Sequence, residues 1–477
     1  MCKKWMILII GMALTVGGCT VKEPQAVQAP QESSPVQATD STVETPISPV
    51  EDTSTSALKA GLENLLVAET TAPDIVQYIE ANISEATNDD AEFFLKCLMV
   101  YQTEYVTRGH EVIYSNDYMD ALNTTMGGVL DASKIADIED AEIRAFYQGL
   151  YDSYLTIVRY EEMPVIEMDW KRVAILDSAA SETLKYYIEE MDTRHYPRND
   201  AYYSAAQKIV ELETIIPETK SEFVTSLLEE MYRLKVSRLV SGPEGSYSDA
   251  FMTRSDNYYS EMMRFANDYP ESPFAGFIKS LEHIEEGDIM AVFDALQAYR
   301  MDNPFRRHHW RIEAYSDGDK NINRSIYVDG AAGSLAEKIN GQIEMAMDEM
   351  FTMVKAYASY SISSFGMDDY GDFVTIGVSL NYENPEGQYV YAERYLNIDL
   401  KTGETISLED YLGMSSNEVI TWVNEMCATN YTLVPEFQIS NNGLLLSAQE
   451  ADTATSNYGF ITNKALLLHV GMDKLTL

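Results

Sequence analysis

The histidines and carboxylates are the side chains of this sequence that could bind a metal ion or transfer a proton. No pair of the six histidines has the His-x-x-x-His spacing that lets a helix present two imidazoles to one metal ion. His308 and His309 lie beside Arg306, Arg307 and Trp310, but adjacent side chains of an extended strand point in opposite directions. We interpret this cluster as a basic surface at a domain junction, and we predict no metal site and no cofactor.

A later polar segment has the residue types of a calcium loop. Asp317, Asp319 and Asn321 alternate in the way that the ligands of an EF-hand loop do. That loop also requires Gly at position 6 for its turn and Glu at position 12 as bidentate ligand. Ile322 and Val328 occupy these positions here. We expect a polar loop closed by Asx turns and leave open whether Asp317, Asp319 and Asn321 bind a cation.

Candidate catalytic groups are abundant but not specific. Adjacent carboxylates occur at 229–230, 285–286 and 368–369. Such pairs arise freely among 76 acidic residues, so no glycosidase pair stands out. No nucleophile elbow, phosphate loop or dinucleotide fingerprint is present. Cys97 and Cys427 fall in helical apolar patterns and should each pack as a small buried group, while a disulfide between them stays an open alternative. We predict no catalytic residue.

The chain begins with a segment that resembles a lipoprotein signal. An apolar stretch at 5–13 follows two lysines and is too short to span a membrane. Val16, Gly17 and Gly18 then precede Cys19, as in a bacterial lipobox. The resemblance implies a signal peptide at 1–18 and a Cys19 that carries diacylglycerol, with two or three acyl chains such as palmitate as the anchor. We therefore expect a lipoprotein at the extracytoplasmic face of the cell membrane.

The charge of the chain restricts its partners. Lys and Arg number 34 against 76 Asp and Glu, which gives a formal net charge of −42. Such a surface repels nucleic acid and anionic headgroups, so anchoring depends on lipid, and a cationic partner is favoured. The hydrophobic fraction of 45% is nevertheless that of a globular protein.

The folded part should contain a helical block. Residues 19–57 are rich in Pro, Ser and Thr and predict a disordered linker. Across 58–310, apolar residues recur at helical spacing, and one such stripe runs from Ile143 to Ile157. The Tyr-Pro-Glu-Ser-Pro sequence at 269–273 resembles the corner of tetratricopeptide-like helical hairpins, although no 34-residue repeat is evident. We predict an all-α domain over 58–310.

From 311 to 477 the pattern indicates an α+β domain with an antiparallel sheet. Val374 to Tyr382 alternates apolar and polar residues, which predicts a strand with one buried face. The further expected elements are helices at 335–357 and 417–428 and strands at 390–400, 444–448 and 465–470.

Three stretches of this domain resemble a known pair of domains of unknown function, DUF4163 and DUF3298. The matching stretches are 338–340, 397–410 (NIDLKTGETISLED) and 437–444. The pair occurs in extracytoplasmic parts of lysozyme-sensing anti-sigma factors and in some peptidoglycan deacetylases. A lysozyme-like protein is therefore one candidate partner. The hairpin at 384–387 reads Asn-Pro-Glu-Gly where family members often carry Gly-Ala-His-Gly, so binding through that loop is not implied.

Together these patterns predict a lipid-anchored, non-enzymatic binding protein of the bacterial cell envelope. Its acidic surface would face a cationic partner in the wall or among secreted proteins. The alternative is a peptidoglycan- or carbohydrate-active hydrolase or binding protein that uses tyrosine-rich grooves and an unrecognised carboxylate pair. A third possibility is an assembly scaffold that acts through residues 58–310.

Overall fold

Helices form most of the described residues between 56 and 301, because apolar residues there recur three and four positions apart. In the computed structural model these helices are α1 (Ala57–Leu65), α2 (Ala72–Asn82), α3 (Asn88–Ile113), α4 (Asn116–Thr124), α5 (Ala141–Asp152), α6 (Trp170–Val173), α7 (Glu182–Asp192), α8 (Tyr202–Ile215), α9 (Glu222–Ser241), α10 (Asp256–Asp268), α11 (Pro273–Ser280) and α12 (Ile289–Met301). The predicted helical block is confirmed.

The structure describes most, but not all, of the chain. The described residues are 56–160, 163–192, 202–241, 256–285, 288–301, 310–313, 322–328, 334–354, 360–370, 373–384, 387–427, 429, 431–440, 443–449 and 456–470. They belong to a unit that extends from Thr55 to Leu477. Among them, no helix is both long and apolar enough to cross a membrane.

A β-hairpin interrupts the helical block. Strands β1 (Leu155–Tyr160) and β2 (Met163–Met168) pair antiparallel. Our expectation of a helical stripe reaching Ile157 was therefore wrong. Helix α5 ends at Asp152, and Tyr154 then takes a positive φ of 56°, which reverses the chain before the first strand. The β-branched residues after Tyr154 favour the extended conformation.

The Tyr-Pro-Glu-Ser-Pro corner joins α10 to α11, and a residue distant in sequence, Glu213, holds it in place. Ser272 is the N-cap of α11, and the backbone N–H of Phe274 donates to the Glu213 carboxylate of α8 at 3.0 Å. The Tyr232 hydroxyl of α9 donates to the same oxygen at 2.9 Å and lies 2.6 Å from the Tyr299 hydroxyl of α12. Glu213 of α8 thus contacts α9 and α11 directly and α12 through the Tyr232 hydroxyl. Burial of the Glu213 carboxyl raises its pKa.

The last third of the chain mixes strands and helices. Its elements are β3 (Trp310–Glu313), β4 (Ile322–Val328), α13 (Leu335–Val354), β5 (Tyr360–Tyr370), β6 (Phe373–Glu383), β7 (Tyr389–Asp399), α14 (Leu408–Leu412), α15 (Ser416–Cys427), β8 (Glu436–Ser440), β9 (Gly443–Gln449), β10 (Ser456–Thr462) and α16 (Asn463–Val470). One sheet has the order β3-β4-β5-β6-β7 and another the order β10-β9-β8. All pairs are antiparallel except β4 with β5. The predicted α+β architecture is confirmed.

Strand β6, which lies between β5 and β7, is buried on both faces from Val374 to Leu380. Val374 and Ile376 face α13, where they pack with Ile339. Thr375 and Ser379 on the opposite face are 2% and 5% exposed. Because β8 covers that face, our prediction of a strand with one buried face was wrong.

The C-terminal residues 465–470 form a helix, not the strand that we predicted. Helix α16 buries Leu466 and Leu467 in the same hydrophobic core as residues of α3 such as Phe94. Lys464 Nζ lies 5.2 Å from the centre of the Tyr101 ring of α3. Contact with α3 favours a helix because it buries two adjacent leucines on one helical face.

Candidate functional site

Several residues singled out from the sequence lie outside the described residues. They are Cys19, the linker 19–55, His308, His309, Asp317, Asp319 and Asn321. Cys97 and Cys427 are described, and both thiols are free. Cys97 is fully buried in α3, and this burial raises the pKa of its thiol. Cys427 is half-buried beside the carbonyl oxygen of Phe460, at 3.6 Å from its sulfur.

Two of the described histidines, His110 and His469, contact backbone groups that are distant in sequence. His110 Nε2 accepts from the backbone N–H of Ile166 in β2 at 3.1 Å, and burial lowers the pKa of this histidine. His469 Nε2 lies 3.1 Å from the carbonyl oxygen of Leu412. Within the described ranges, no three His, Cys, Asp or Glu side chains are grouped as metal ligands.

The signature at 397–410 builds a turn and a helix start. The carboxylate of Asp399 accepts from the backbone N–H of Lys401 at 2.6 Å and of Thr402 at 3.2 Å. Gly403 follows with a φ of +73°, and a Cβ there would meet Leu335 of α13 at 2.8 Å. Only glycine fits both the backbone conformation and the close approach.

The rest of the signature caps α14. Ser407 Oγ accepts from the backbone N–H of Asp410 at 3.0 Å and donates to the Asp410 carboxylate at 2.8 Å. This is the pattern expected for Ser at the N-cap position of a helix. The motif that carries the family resemblance therefore has an architectural role in this chain, and the candidate site must be sought elsewhere.

A cavity of about 630 Å³ lies in the helical block. It is bordered by α6, by the 3-10 segment Ala174–Ser178, by α7, and by the end of α8 with the 3-10 segment Ile216–Glu218. Its lining residues are Trp170, Lys171, Ala174, Asp177, Glu182, Thr183, Lys185, Tyr186, Ile188, Glu189, Asp192, Ile215 and Glu218. This volume is typical of sites for peptide-sized or drug-sized ligands.

Trp170 contributes an indole N–H without a partner. The residue is 6% exposed, and its ring packs edge-on against Tyr187 with centroids 5.4 Å apart. Nε1 is buried and makes no hydrogen bond. Leaving a buried donor unsatisfied costs about 1–3 kcal/mol, and the burial of this N–H also closes it to solvent.

The lining of the cavity carries an excess of negative charge. Five carboxylates lie there beside two lysines, and Lys185 already pairs with Glu182 at 2.7 Å. Asp177 has a raised pKa because burial penalises its charged form and Glu189 repels it, although Lys185 acts against both. Among the described residues, Asp177, Glu189, Asp192 and Glu218 form no hydrogen bond or ion pair. Within the described part of the chain, the lining of the cavity therefore carries a net negative charge.

One wall of the cavity is fixed by a buried carboxylate. Glu190 of α7 is 6% exposed and pairs with Lys235 of α9 at 2.7 Å and with Lys208 of α8 at 3.1 Å. Burial raises its pKa, but the hydrogen bonds and charges of Lys235 and Lys208 outweigh this effect and leave the pKa lowered. Lys208 Nζ also lies 5.7 Å from the centre of the Tyr186 ring. These contacts hold α7, and hence the cavity wall, against α8 and α9.

Sequence reasoning did not find this cavity. Trp170 and Tyr187 follow a helical apolar pattern and are buried in the core, whereas the charged residues of α7 have the spacing of an ordinary solvated helix face. Only the fold brings Glu182, Glu189 and Asp192 to the border of one cavity with Trp170.

Comparison with known proteins gives a partial match. No family model matches the chain, and no curated protein does. A DUF3298 family protein from Bacteroides fragilis NCTC 9343 is similar in structure, with 14% identity and a TM-score of 0.25, over 34% of this chain and 93% of its own. One from Pseudomonas aeruginosa PAO1 has 12% identity and a TM-score of 0.25, over 36% of this chain and 95% of its own. The structural neighbours are thus DUF3298 family proteins, across about a third of this chain.

Proposed function

We propose that this chain is a lipid-anchored, non-enzymatic binding protein of the bacterial cell envelope. Its partner would be a cationic protein of the wall or the surrounding medium. The observation that carries the proposal is the acidic cavity: four of its five carboxylates, among them Asp177 and Glu189, form no hydrogen bond or ion pair with another described residue. The lipobox-like sequence before Cys19 supports the anchoring.

Electrostatics would act on this partner in two ways. The net charge of −42 attracts a cationic protein over a distance and raises the rate of encounter. The carboxylates of the cavity then provide local contacts once the partner has arrived. Because exposed charges are screened by salt, the association should weaken as ionic strength rises.

Lysozyme is a suitable cationic probe, since the family resemblance makes a lysozyme-like protein one candidate partner. We expect the purified full chain in detergent to bind it at low salt and to lose affinity from about 0.02 M to about 0.5 M salt. Lysozyme with acetylated lysines is the matched control, since it keeps its shape but loses charge. Equal binding of both forms, or no binding at low salt, would contradict the proposed cationic partner.

The anchor is tested separately. Mass analysis of the native chain should reveal acyl groups on Cys19, and Cys19→Ala should release the protein from membranes washed with carbonate. A variant that stays in the membrane fraction would contradict lipid anchoring and leave the binding proposal to the lysozyme experiment.

A second candidate function is carbohydrate binding at β7. Tyr389 and Tyr391 are 82% and 51% exposed there. The Glu393 carboxylate accepts two hydrogen bonds from tyrosines of the same strand. The Tyr391 hydroxyl donates to one oxygen, and the Tyr395 hydroxyl donates to the other at 2.9 Å. Because both oxygens are occupied, the arrangement favours sugar binding over hydrolysis. Peptidoglycan that retains the full chain but not a Tyr391→Ala variant would support it, and released sugars would favour a hydrolase.

A further inference from the structure

We infer that the outer edge of β7 binds an extended, basic segment of the partner as an added antiparallel strand. The segment would pair with the backbone of residues 389–393, where this edge of the sheet is open. The inference rests on the proposed function and identifies how the cationic partner is recognised.

The backbone of β7 points its odd-numbered residues away from the sheet. Strand β7 is last in the order β3-β4-β5-β6-β7 and pairs with β6 without a register shift. The Asn384 N–H donates to the Gln388 carbonyl at 2.9 Å, so the even-numbered residues face β6. On the outer side, the Asn397 carbonyl accepts from the Ile406 N–H at 2.7 Å. The N–H and C=O groups of residues 389, 391 and 393 therefore point outward.

The outer edge of β7 is covered at one end only. The Tyr395 N–H donates to the Glu436 carboxylate of β8. From 389 to 393, the outward backbone groups form no hydrogen bond with another described residue. The side chains of Tyr389 and Tyr391 are 82% and 51% exposed, so this part of the strand is open to solvent.

This open edge lacks the usual protection against strand pairing. Natural sheets protect their edges with lysine, proline or a bulge, because unpaired N–H and C=O groups form a template for another strand. Residues 389–393 contain no lysine or proline, and their pairing with β6 is regular. Strand addition to such an edge is an established mode of peptide recognition.

One face of the added strand would meet apolar side chains. The Arg394 guanidinium pairs with Glu349 of α13, so the even-numbered residues of β7 lie on the α13 face of the sheet. Val390 and Ala392 are half-buried on this face. Because directly opposite side chains of paired strands are in contact, β-branched residues of the added strand suit these positions.

The opposite face suits arginine. Tyr389 and Tyr391 lie there, and Glu383 of β6 is directly across from Tyr389. Glu383 is exposed and forms no hydrogen bond or ion pair with another described residue. A guanidinium group can stack on a tyrosine ring and pair with a carboxylate. The edge should therefore select a segment in which basic and β-branched residues alternate.

Two other occupants fit the edge less well. A second copy of this chain also carries a net charge of −42, so the two copies would repel each other. A sugar stacked on the tyrosine rings would lie over the face of the sheet and would not use the backbone groups at its edge. A basic segment uses both the charge and the backbone.

The test uses the full chain in detergent and an acetylated, amidated hexapeptide of alternating valine and arginine. With arginines opposite residues 389, 391 and 393, the arginine N–H groups point toward β7 and the valine N–H groups point to solvent. N-methylation of the three arginines should therefore raise the dissociation constant at least about tenfold. N-methylation of the three valines is the matched control and should change it less than about twofold.

Hydrogen exchange locates the added strand. At saturating peptide, the N–H groups of residues 389, 391 and 393 should exchange at least about tenfold more slowly than in the free chain. The N–H groups of residues 390 and 392 already face β6 and should change little. Mass spectrometry with electron-transfer fragmentation resolves the individual residues.

A pair of variants separates the backbone from the ring. Tyr391→Pro removes an outward N–H, which an edge strand tolerates, whereas Tyr391→Ala removes the ring and keeps the N–H. The peptide should bind the proline variant at least about tenfold more weakly than the alanine variant. Circular dichroism of both variants checks that the fold is kept.

Equal affinity for the two methylated peptides, or unchanged exchange at residues 389–393, would overturn the inference. So would displacement of the peptide by soluble peptidoglycan fragments with equally weak binding by the two Tyr391 variants, which would indicate a sugar site. A dimer of the full chain that Tyr391→Pro dissociates would assign the edge to a second copy.

The lysozyme experiment separates this failure from that of the proposed function. If lysozyme bound Tyr391→Pro as tightly as the parent and in the same salt-dependent way, the cationic partner would stand and strand addition at β7 would be wrong.

Discussion

At the scale of single residues, Asn397 shows how one side chain can join two sheets. Its amide donates to the carbonyl of Phe437 at 2.7 Å, and its carbonyl oxygen accepts from the N–H of Ile439 at 3.2 Å and from the Thr375 hydroxyl at 2.7 Å. The side chain of β7 thus pairs with the backbone of β8 as a neighbouring strand would. The sequence identified Asn397 only as part of a motif, because its partners lie about forty residues later.

We predict that the ion pair of Glu190 makes the free energy of unfolding depend on pH. Since the lysines lower its pKa below the ordinary 4.5, the unfolded state binds more protons and the pair stabilises the fold above that pH. Glu190→Gln should therefore lower the free energy of unfolding by about 1.5–3 kcal/mol at neutral pH. The loss should shrink as pH falls through 4.5 and below. Urea unfolding at several pH values measures it.

Glu182→Gln is the control for this prediction. Glu182 forms a similar 2.7 Å pair with Lys185 on the same helix, but its side chain is 90% exposed. Its replacement should change the free energy of unfolding by no more than about 0.5 kcal/mol. Equal effects of the two variants at neutral pH would mean that Glu190 is not held in a buried pair.

At the scale of elements, a helix or strand could be predicted where the apolar residues keep one period over many positions, but not where the element is short. The predicted helix at 335–357 and strand at 390–400 agree closely with α13 and β7. Their apolar residues follow one period over many positions. The hairpin β1–β2 and helix α16 are short, and contacts with distant parts of the chain select their conformation. Local sequence alone could not predict them.

We predict that replacing Gly443, at the start of β9, by any residue with a Cβ destabilises the protein. Its φ is +145°, and a Cβ there would meet the carbonyl oxygen of Ile461 in β10 at 1.9 Å. Gly443→Ala should destabilise the protein by at least about 2 kcal/mol, through backbone strain and a displaced strand. Thermal unfolding followed by circular dichroism measures the change.

Gly341 provides the opposite case. It lies within helix α13, and no atom lies within 4 Å of the Cβ that alanine would add. Gly341→Ala should stabilise the protein by about 0.5–1 kcal/mol, since alanine has the higher helix propensity. If both alanine variants shifted the melting temperature in the same direction, the distinction between the two glycines would fail.

At the scale of the whole molecule, one hydrophobic core includes residues from both of the predicted blocks. Leu62 and Phe94 from the first block share it with Val419 and Leu466 from the second. Composition and period could divide the chain at 310, because the type of pattern changes there. They could not reveal which buried faces meet, since apolar residues do not specify their partners.

This shared core predicts cooperative unfolding. Leu466→Ala should lower the free energy of unfolding by about 2–5 kcal/mol through lost burial and a cavity. The whole described unit should still unfold in a single transition, which calorimetry can test. Leu468→Ala on the same helix is the control, because this leucine is 44% exposed and should contribute little. A variant with two transitions, only one of them shifted, would indicate independent domains.

The position of α16 against α3 has a consequence for biogenesis. Because α3 is synthesised well before α16, the hydrophobic surface between them stays incomplete until α16 has left the ribosome. Under the export that we propose, this delayed contact would help the chain to stay unfolded while it crosses the translocation channel.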